Sequence, residues 1–131
     1  MHIHTILFDL DGTLIDTNQL IFVSFKHTLE QYDLHFTDEV IMEFNGPPLV
    51  DTFKKIDPER TEEMVATYRK YNYKVHDEYV KAFPKVVETL EALKDRNIKL
   101  GVVTTKMKPG VEMGLEKTGI CKFFDTVITL D

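Results

Sequence analysis

Cysteine is nearly absent: Cys121 stands alone in 131 residues. No internal disulfide can form, and the count fits a reducing cytosol. Long apolar runs are missing too. None approaches the ~18 residues a membrane helix needs. The opening MHIHTILFDL has no basic stretch followed by a long apolar region, so it does not read as a signal peptide. Basic residues are outnumbered, with 16 Lys and Arg against 22 Asp and Glu, for a formal net charge of -6. That balance argues against tracking a nucleic-acid backbone and against a polybasic membrane contact. An anionic ligand would need its positive charge from a bound metal or a local cluster of donors. Internal repeats and low-complexity segments are also missing. Together these absences predict a cytoplasmic protein whose partners are neither nucleic acid nor membrane.

What is present is ordinary for a globular chain, 43% hydrophobic and 29% charged. The length suits one domain or two small lobes. Ile3 to Leu10 reads as a strand, and the consecutive Ile6, Leu7 and Phe8 predict burial on both faces. Asp11-Gly12-Thr13 is a turn. From Asp16 to about Asp33 the pattern is helical. Leu20, Val23, Phe25, His27 and Leu29 are too dense for one narrow stripe, so that helix should sit between neighbours.

Thr37 and Asp38 start a further helix with Val40, Ile41 and Phe44 on its apolar face, and Asn45-Gly46-Pro47-Pro48 ends it. A short helix follows from Leu49 to Ile56. Asp57-Pro58 opens a long helix from Pro58 to about Lys81, with Met64, Ala66, Tyr68, Tyr71 and Val75 as buried candidates. Tyr68, Tyr71, Tyr73 and Tyr79 fit helix core with wet hydroxyl ends better than a base-stacking platform.

Phe83-Pro84 breaks the helix, and Val86 to Asp95 is helical again. Ile98 to Thr104 is a second strand. A helix restarts at Lys108-Pro109 and runs to about Thr118, where Gly119 ends it. Thr126 to Leu130 is a third strand. Strands alternating with helices indicate a parallel sheet. The expected fold is therefore α/β, a partial doubly wound parallel sheet of three strands, with a helical insert after the first. Residues 1–16 and 83–131 would form the core and 17–82 the insert.

The stretch FDLDGT is hard to explain by packing. Asp9 and Asp11 end an apolar strand, and buried acids cost free energy unless a cation or hydrogen bonds compensate them. The carboxyl end of a parallel strand is where ligands bind in open α/β sheets. A carboxylate is a competent nucleophile toward phosphorus. A second acid can protonate the leaving oxygen and then deprotonate water. Magnesium takes oxygen ligands, and one carboxylate with a nearby backbone carbonyl suits it.

At the end of the second strand, GVVTTK supplies Thr104, Thr105 and Lys106. Threonine is β-prone, so a hydroxyl that ends a strand is ordinary by itself. Lys106 and Lys108 either attract an anion or are solvated loop charges. His2, His4, His27, His35 and His76 lack the spacing of a zinc site and read as surface or packing residues.

FDLDGTLIDT resembles the first motif of the haloacid dehalogenase-like hydrolases, most of them phosphatases, and the resemblance covers the chain. It implies that Asp9 is the nucleophile and Asp11 the general acid/base. It implies Mg²⁺ held by Asp9 and Asp11, the latter through its backbone carbonyl. Phosphate would be bound by Gly12, Thr13, Thr104, Thr105 and Lys106. The insert resembles this family's helical cap, and NGPPL puts Gly46 and Pro47 where that cap presents a specificity loop, although a Gly-Pro-Pro run equally serves as a plain connection between helices.

More narrowly, DTNQLI, EFNGPPLVDTF, IDPER, YRKYN, HDEYVKAFP and GVVTTKM resemble the bacterial inorganic pyrophosphatase branch. That implies a small phosphorylated substrate, pyrophosphate hydrolysed to phosphate with Mg²⁺. It also implies a link to dephosphorylation of a serine-phosphorylated phosphocarrier protein. The alternatives are a phosphoglycolate-type small-molecule phosphatase and a non-catalytic binding module. The family's further lysine and acidic pair have no counterpart here. The expectation is then a truncated chain with little turnover, able to self-associate through an exposed sheet edge.

Overall fold

The structure is a computed structural model that describes residues 3–131. The expectation for His2 lies outside them. The first strand, β1 (Thr5–Phe8), is shorter than the apolar run that announced it. It is also not buried on both faces, because Leu7 is 60% exposed. A two-residue strand, β2 (Ile15–Asp16), follows the DLDGT turn.

The chain then enters α1 (Asn18–Gln31), α2 (Asp38–Met42), α3 (Leu49–Ile56) and α4 (Thr61–Tyr79). It returns through a second two-residue strand, β3 (Lys81–Ala82), that pairs antiparallel with β2. Then come α5 (Val86–Asp95), β4 (Lys99–Val103), α6 (Lys108–Thr118), a 3₁₀ turn at Cys121–Phe123 and β5 (Thr126–Ile128).

Two compact units result. One takes the chain up to Thr17 together with Val80–Asp131; the other is Asn18–Tyr79. The β2–β3 ribbon explains why Val80 to Ala82 fall in the first unit: Lys81 pairs with Asp16 and Ala82 with Ile15.

In the first unit, β1, β4 and β5 form a parallel sheet in that order. The three expected strands are therefore present, with β1 at an edge. Register decides which side chains share a face. Leu7 lies beside Gly101, and Val103 beside Ile128. Leu7, Val103 and Ile128 share one face and are all exposed, whereas Leu100 and Val102 on the other face are buried. Consecutive apolar residues announce two-sided burial only where both faces are covered. Asp125 joins the layers just before β5. Its Oδ2 accepts from Leu100 N at 3.0 Å and from Lys94 Nζ of α5 at 2.7 Å.

In the second unit, α1 packs along α4 and α3 packs on α4. Phe25, Leu29, Ile41, Phe53, Met64, Val65 and Tyr68 make its core. Phe25 lies 4.8 Å from Tyr68 and 5.4 Å from Phe53 between ring centroids. Thr37 caps α2, accepting from Val40 N at 3.3 Å.

The long helix begins at Thr61, not Pro58. Asp57 instead organises a turn, accepting from Glu59 N and from Arg60 Nε at 2.7 Å. Its buried stripe is Met64, Val65, Tyr68, Asn72 and His76. Ala66 is exposed, and Tyr71 and Val75 are half-buried. The polar members of the stripe displace the apolar reading. Asn72 Nδ2 donates to Ser24 Oγ at 3.1 Å, and Ser24 Oγ donates in turn to Leu20 O at 2.7 Å. Among the histidines, His35 and His4 are exposed, His27 stacks on Tyr71 at 3.9 Å, and His76 is fully buried.

Candidate active site

Leu10 is fully buried. Its carbonyl accepts from three successive N–H groups, Thr13 at 3.3 Å, Leu14 at 3.0 Å and Ile15 at 3.2 Å. Gly12 N donates to Ile15 O at 3.0 Å. Gly12 sits at φ 79°, the left-handed region that glycine enters without cost, so the chain curls tightly there. Asp9 precedes the curl and is exposed, with Oδ1 accepting from Leu10 N at 2.9 Å. Asp11 lies within the curl, half-buried. Its Oδ1 accepts from Thr17 Oγ1 at 2.9 Å and from Lys106 Nζ at 3.3 Å. Gly12 and Thr13 are exposed at the turn.

The second half of the site comes from β4. Phe8 of β1 is registered with Val102 of β4, and the strands are parallel. The segments after them therefore leave the sheet at the same end. Thr104 is nearly buried, and its N–H donates to Ile128 O at 3.0 Å. Its hydroxyl accepts from Lys106 N at 3.1 Å. That local bond is a hydroxyl turn of the kind threonine favours, and it fixes the backbone at Lys106. Lys106 O accepts from Leu130 N at 3.0 Å. Thr105 is exposed.

Lys108 is a solvated residue. Its ammonium stands 3.9 Å from Glu112, and both side chains are well exposed. Its N–H donates to Asp131 Oδ1 at 2.9 Å. That bond to the first N–H of α6, with Thr129 Oγ1 donating beside it, holds the Asp131 carboxyl below its ordinary range.

The structure thus ties Asp11 to Lys106 across the strand pair and sets Thr104 under Lys106. Gly46 and Pro47 belong to the Asn18–Tyr79 unit. They are exposed, with Gly46 at φ 124° and Asn45 Nδ2 donating to Asn18 Oδ1 at 2.8 Å. Thr17 is the residue that sequence reasoning missed. It is 1% exposed and holds Asp11. No periodicity marks it; only its position in FDLDGTLIDT could have drawn attention.

Among the described residues, no group of three or more His, Cys, Asp and Glu side chains could hold a metal. The donors on hand are the Asp9 carboxylate and the Asp11 backbone carbonyl. Both are hard oxygens, which suits Mg²⁺, a cation that keeps several waters and takes one or two protein carboxylates. The Asp11 carboxylate fits a metal less well, because its Oδ1 already faces the Lys106 ammonium. No helix among the described residues is long and apolar enough to cross a membrane.

Comparison with known proteins places the chain in a family. The sequence profile of the family described as "Haloacid dehalogenase-like hydrolase" matches residues 6–131. Pyrophosphatase PpaX of Oceanobacillus iheyensis is 60% identical over all of this chain and 61% of its own length. Pyrophosphatase PpaX of Anoxybacillus flavithermus is 53% identical over the same shares. Among solved structures, a haloacid dehalogenase-like family hydrolase from Streptococcus pneumoniae superimposes with a TM-score of 0.88 at 30% identity. That match covers 97% of this chain and 61% of the other. The chain therefore spans about three fifths of the length of the relatives it matches.

Proposed function

The chain belongs to the haloacid dehalogenase-like hydrolases, and from that premise we propose a Mg²⁺-dependent phosphohydrolase that works through an aspartyl-phosphate and splits inorganic pyrophosphate into two phosphates. The observation that carries the reading is the meeting of Asp11 and Lys106 at the carboxyl ends of β1 and β4, with exposed Asp9 two residues away. The identity to two proteins named pyrophosphatase supports the choice of substrate.

The residues divide the work by what each can reach. Asp9 Oδ2 attacks phosphorus, and the P–O bond to the leaving phosphate breaks as the aspartyl bond forms. Asp11 gives a proton to the leaving oxygen and later takes one from the attacking water. Lys106 and Thr17 hold Asp11 Oδ1, which leaves Oδ2 for that proton. The hydroxyls of Thr13, Thr104 and Thr105 and the ammonium of Lys106 are the donors assigned to the phosphoryl oxygens, while Gly12, whose N–H is held by Ile15 O, lets the chain curl around them. Mg²⁺, held by the Asp9 carboxylate and the Asp11 carbonyl, would offset the charge that gathers on those oxygens. Substrate discrimination is assigned to the exposed Gly46-Pro47 turn, and the working compartment to the cytoplasm.

The edge position of β1 and the open face of Leu7, Val103 and Ile128 support self-association of this chain. Without the family's further lysine and acidic pair, these 131 residues alone should turn over slowly. The test is phosphate release from pyrophosphate, with and without Mg²⁺, on these residues beside a protein extended to the length of its relatives. Mg²⁺-dependent release by the extended protein is the expected result. Release from phosphoglycolate but not from pyrophosphate would replace the substrate, and release from neither would overturn the reading.

A further inference from the structure

Gly110 lies in the first turn of α6 and is buried. Nothing in its backbone demands glycine, because it is not among the positive-φ residues. Glycine is also a weak helix former, so local stability favours another residue there. What occupies the space is Lys106. A Cβ placed on Gly110 would come within 2.9 Å of Lys106 Cε, 3.6 Å of Cδ and 3.7 Å of Cγ. The lysine stem therefore lies flat against the helix at this one position, and its ammonium emerges 3.3 Å from Asp11 Oδ1.

The lysine's main chain is fixed from both sides, with Lys106 N on Thr104 Oγ1 and Lys106 O on Leu130 N. If a methyl group appeared at position 110, the main chain could not retreat. The flexible stem would have to.

We propose that Gly110 is a positioning residue whose missing side chain seats the Lys106 ammonium on Asp11. Its consequence for turnover rests on the function proposed above; the seating itself does not. Gly110→Ala should leave the fold intact, since among the described residues the one clash is with the far end of a flexible side chain. It should still unseat Lys106.

The test is trace acetylation of lysines in the 131-residue protein, followed by peptide mass spectrometry, with solvated Lys108 as the internal reference. Gly110→Ala should raise the labelling of Lys106 relative to Lys108 several-fold, to the level reached by Asp11→Asn, with a melting temperature equal to or above that of the unmodified protein. Unchanged Lys106 labelling in Gly110→Ala would overturn the proposal, as would unchanged labelling in Asp11→Asn. A lowered melting temperature in Gly110→Ala would overturn it too, because the glycine would then be structural.

In the extended protein, Gly110→Ala and Lys106→Ala should lower kcat by the same factor, and the double variant no further. If that protein hydrolyses nothing, the function proposed above fails while the labelling still decides the role of Gly110.

Discussion

Lys106 and Asp11 are 95 residues apart in sequence, and the Nζ of one lies 3.3 Å from the Oδ1 of the other. The distance exceeds the 2.7–2.9 Å typical of strong charge-assisted hydrogen bonds. Both side chains keep some contact with water. A pair of this kind contributes at most about 1 kcal/mol to stability. Its role is to orient. Lys106→Ala should therefore change unfolding free energy by less than about 1 kcal/mol in urea titrations, while lowering phosphate release in the extended protein. A large loss of stability would show that the pair is structural.

Thr17 holds the same oxygen from a buried position. Hydrogen bonds to charged groups are worth about 1.5–3 kcal/mol, and valine keeps the shape while removing the hydroxyl. Thr17→Val should destabilise the protein by roughly that amount, and Thr17→Ser should recover most of the loss. Equal stability of the two variants would remove the hydroxyl from the account.

Asp11→Asn should lower kcat in the extended protein by about 10²- to 10⁴-fold, the usual contribution of a positioned acid–base group. Asp9→Asn should abolish trapping of a phosphorylated enzyme, read by intact mass after rapid quench. Because Asp9 is exposed, that variant should keep its melting temperature. A phosphorylated Asp9→Asn protein would move the nucleophile elsewhere.

Asp125 sets an acid limit on the fold. The Lys94 ammonium, and after it the Leu100 N–H, hold its carboxyl below the ordinary value of 3.8. A depressed carboxyl stabilises the folded state above its unfolded value and loses that contribution as pH falls through its folded value. Asp125→Asn should melt below the unmodified protein at neutral pH. The gap should close as the pH falls under 3.8. A gap that stays constant with pH would mean the charge carries nothing.

His76 is buried with Nε2 unpaired among the described residues, while Nδ1 meets exposed Asp77 at 2.9 Å. An unsatisfied buried polar atom costs about 1–3 kcal/mol, and an apolar group of similar shape avoids that cost. His76→Phe should leave the melting temperature unchanged or raise it. A clear drop would mean that Nε2 has a partner, such as a bound water, that phenylalanine cannot replace.

The three strands of the parallel sheet and the turn at DLDGT were legible because apolar runs, paired acids and a glycine are local signals. The helix from Leu49 to Ile56 was legible for the same reason, bounded by Pro48 and Asp57. The face of α4 was not. Periodicity sought apolar partners for Met64 and Tyr68 and found Tyr71 and Val75. The buried stripe instead runs through Asn72 and His76, where polarity is tolerated because Ser24 answers Asn72. The β2–β3 ribbon left no signal, since two residues make no pattern. The sequence brought Asp11 and Lys106 under suspicion separately. Their contact, with Thr17 on one side and Gly110 beneath, depends on strand register and on space at a helix surface, and neither is written locally.

The ribbon has a consequence for descent. Asn18–Tyr79 is spliced into the loop of a hairpin, for Asp16 pairs directly with Lys81. A hairpin loop can be lengthened, exchanged or lost while the β1–β4–β5 registers stay as they are. The entropic cost of closing such a loop grows by only about 0.6 kcal/mol for each doubling of its length. A lineage built this way can try new helical inserts on an old sheet without rebuilding the strands that lead into Asp9 and Thr104.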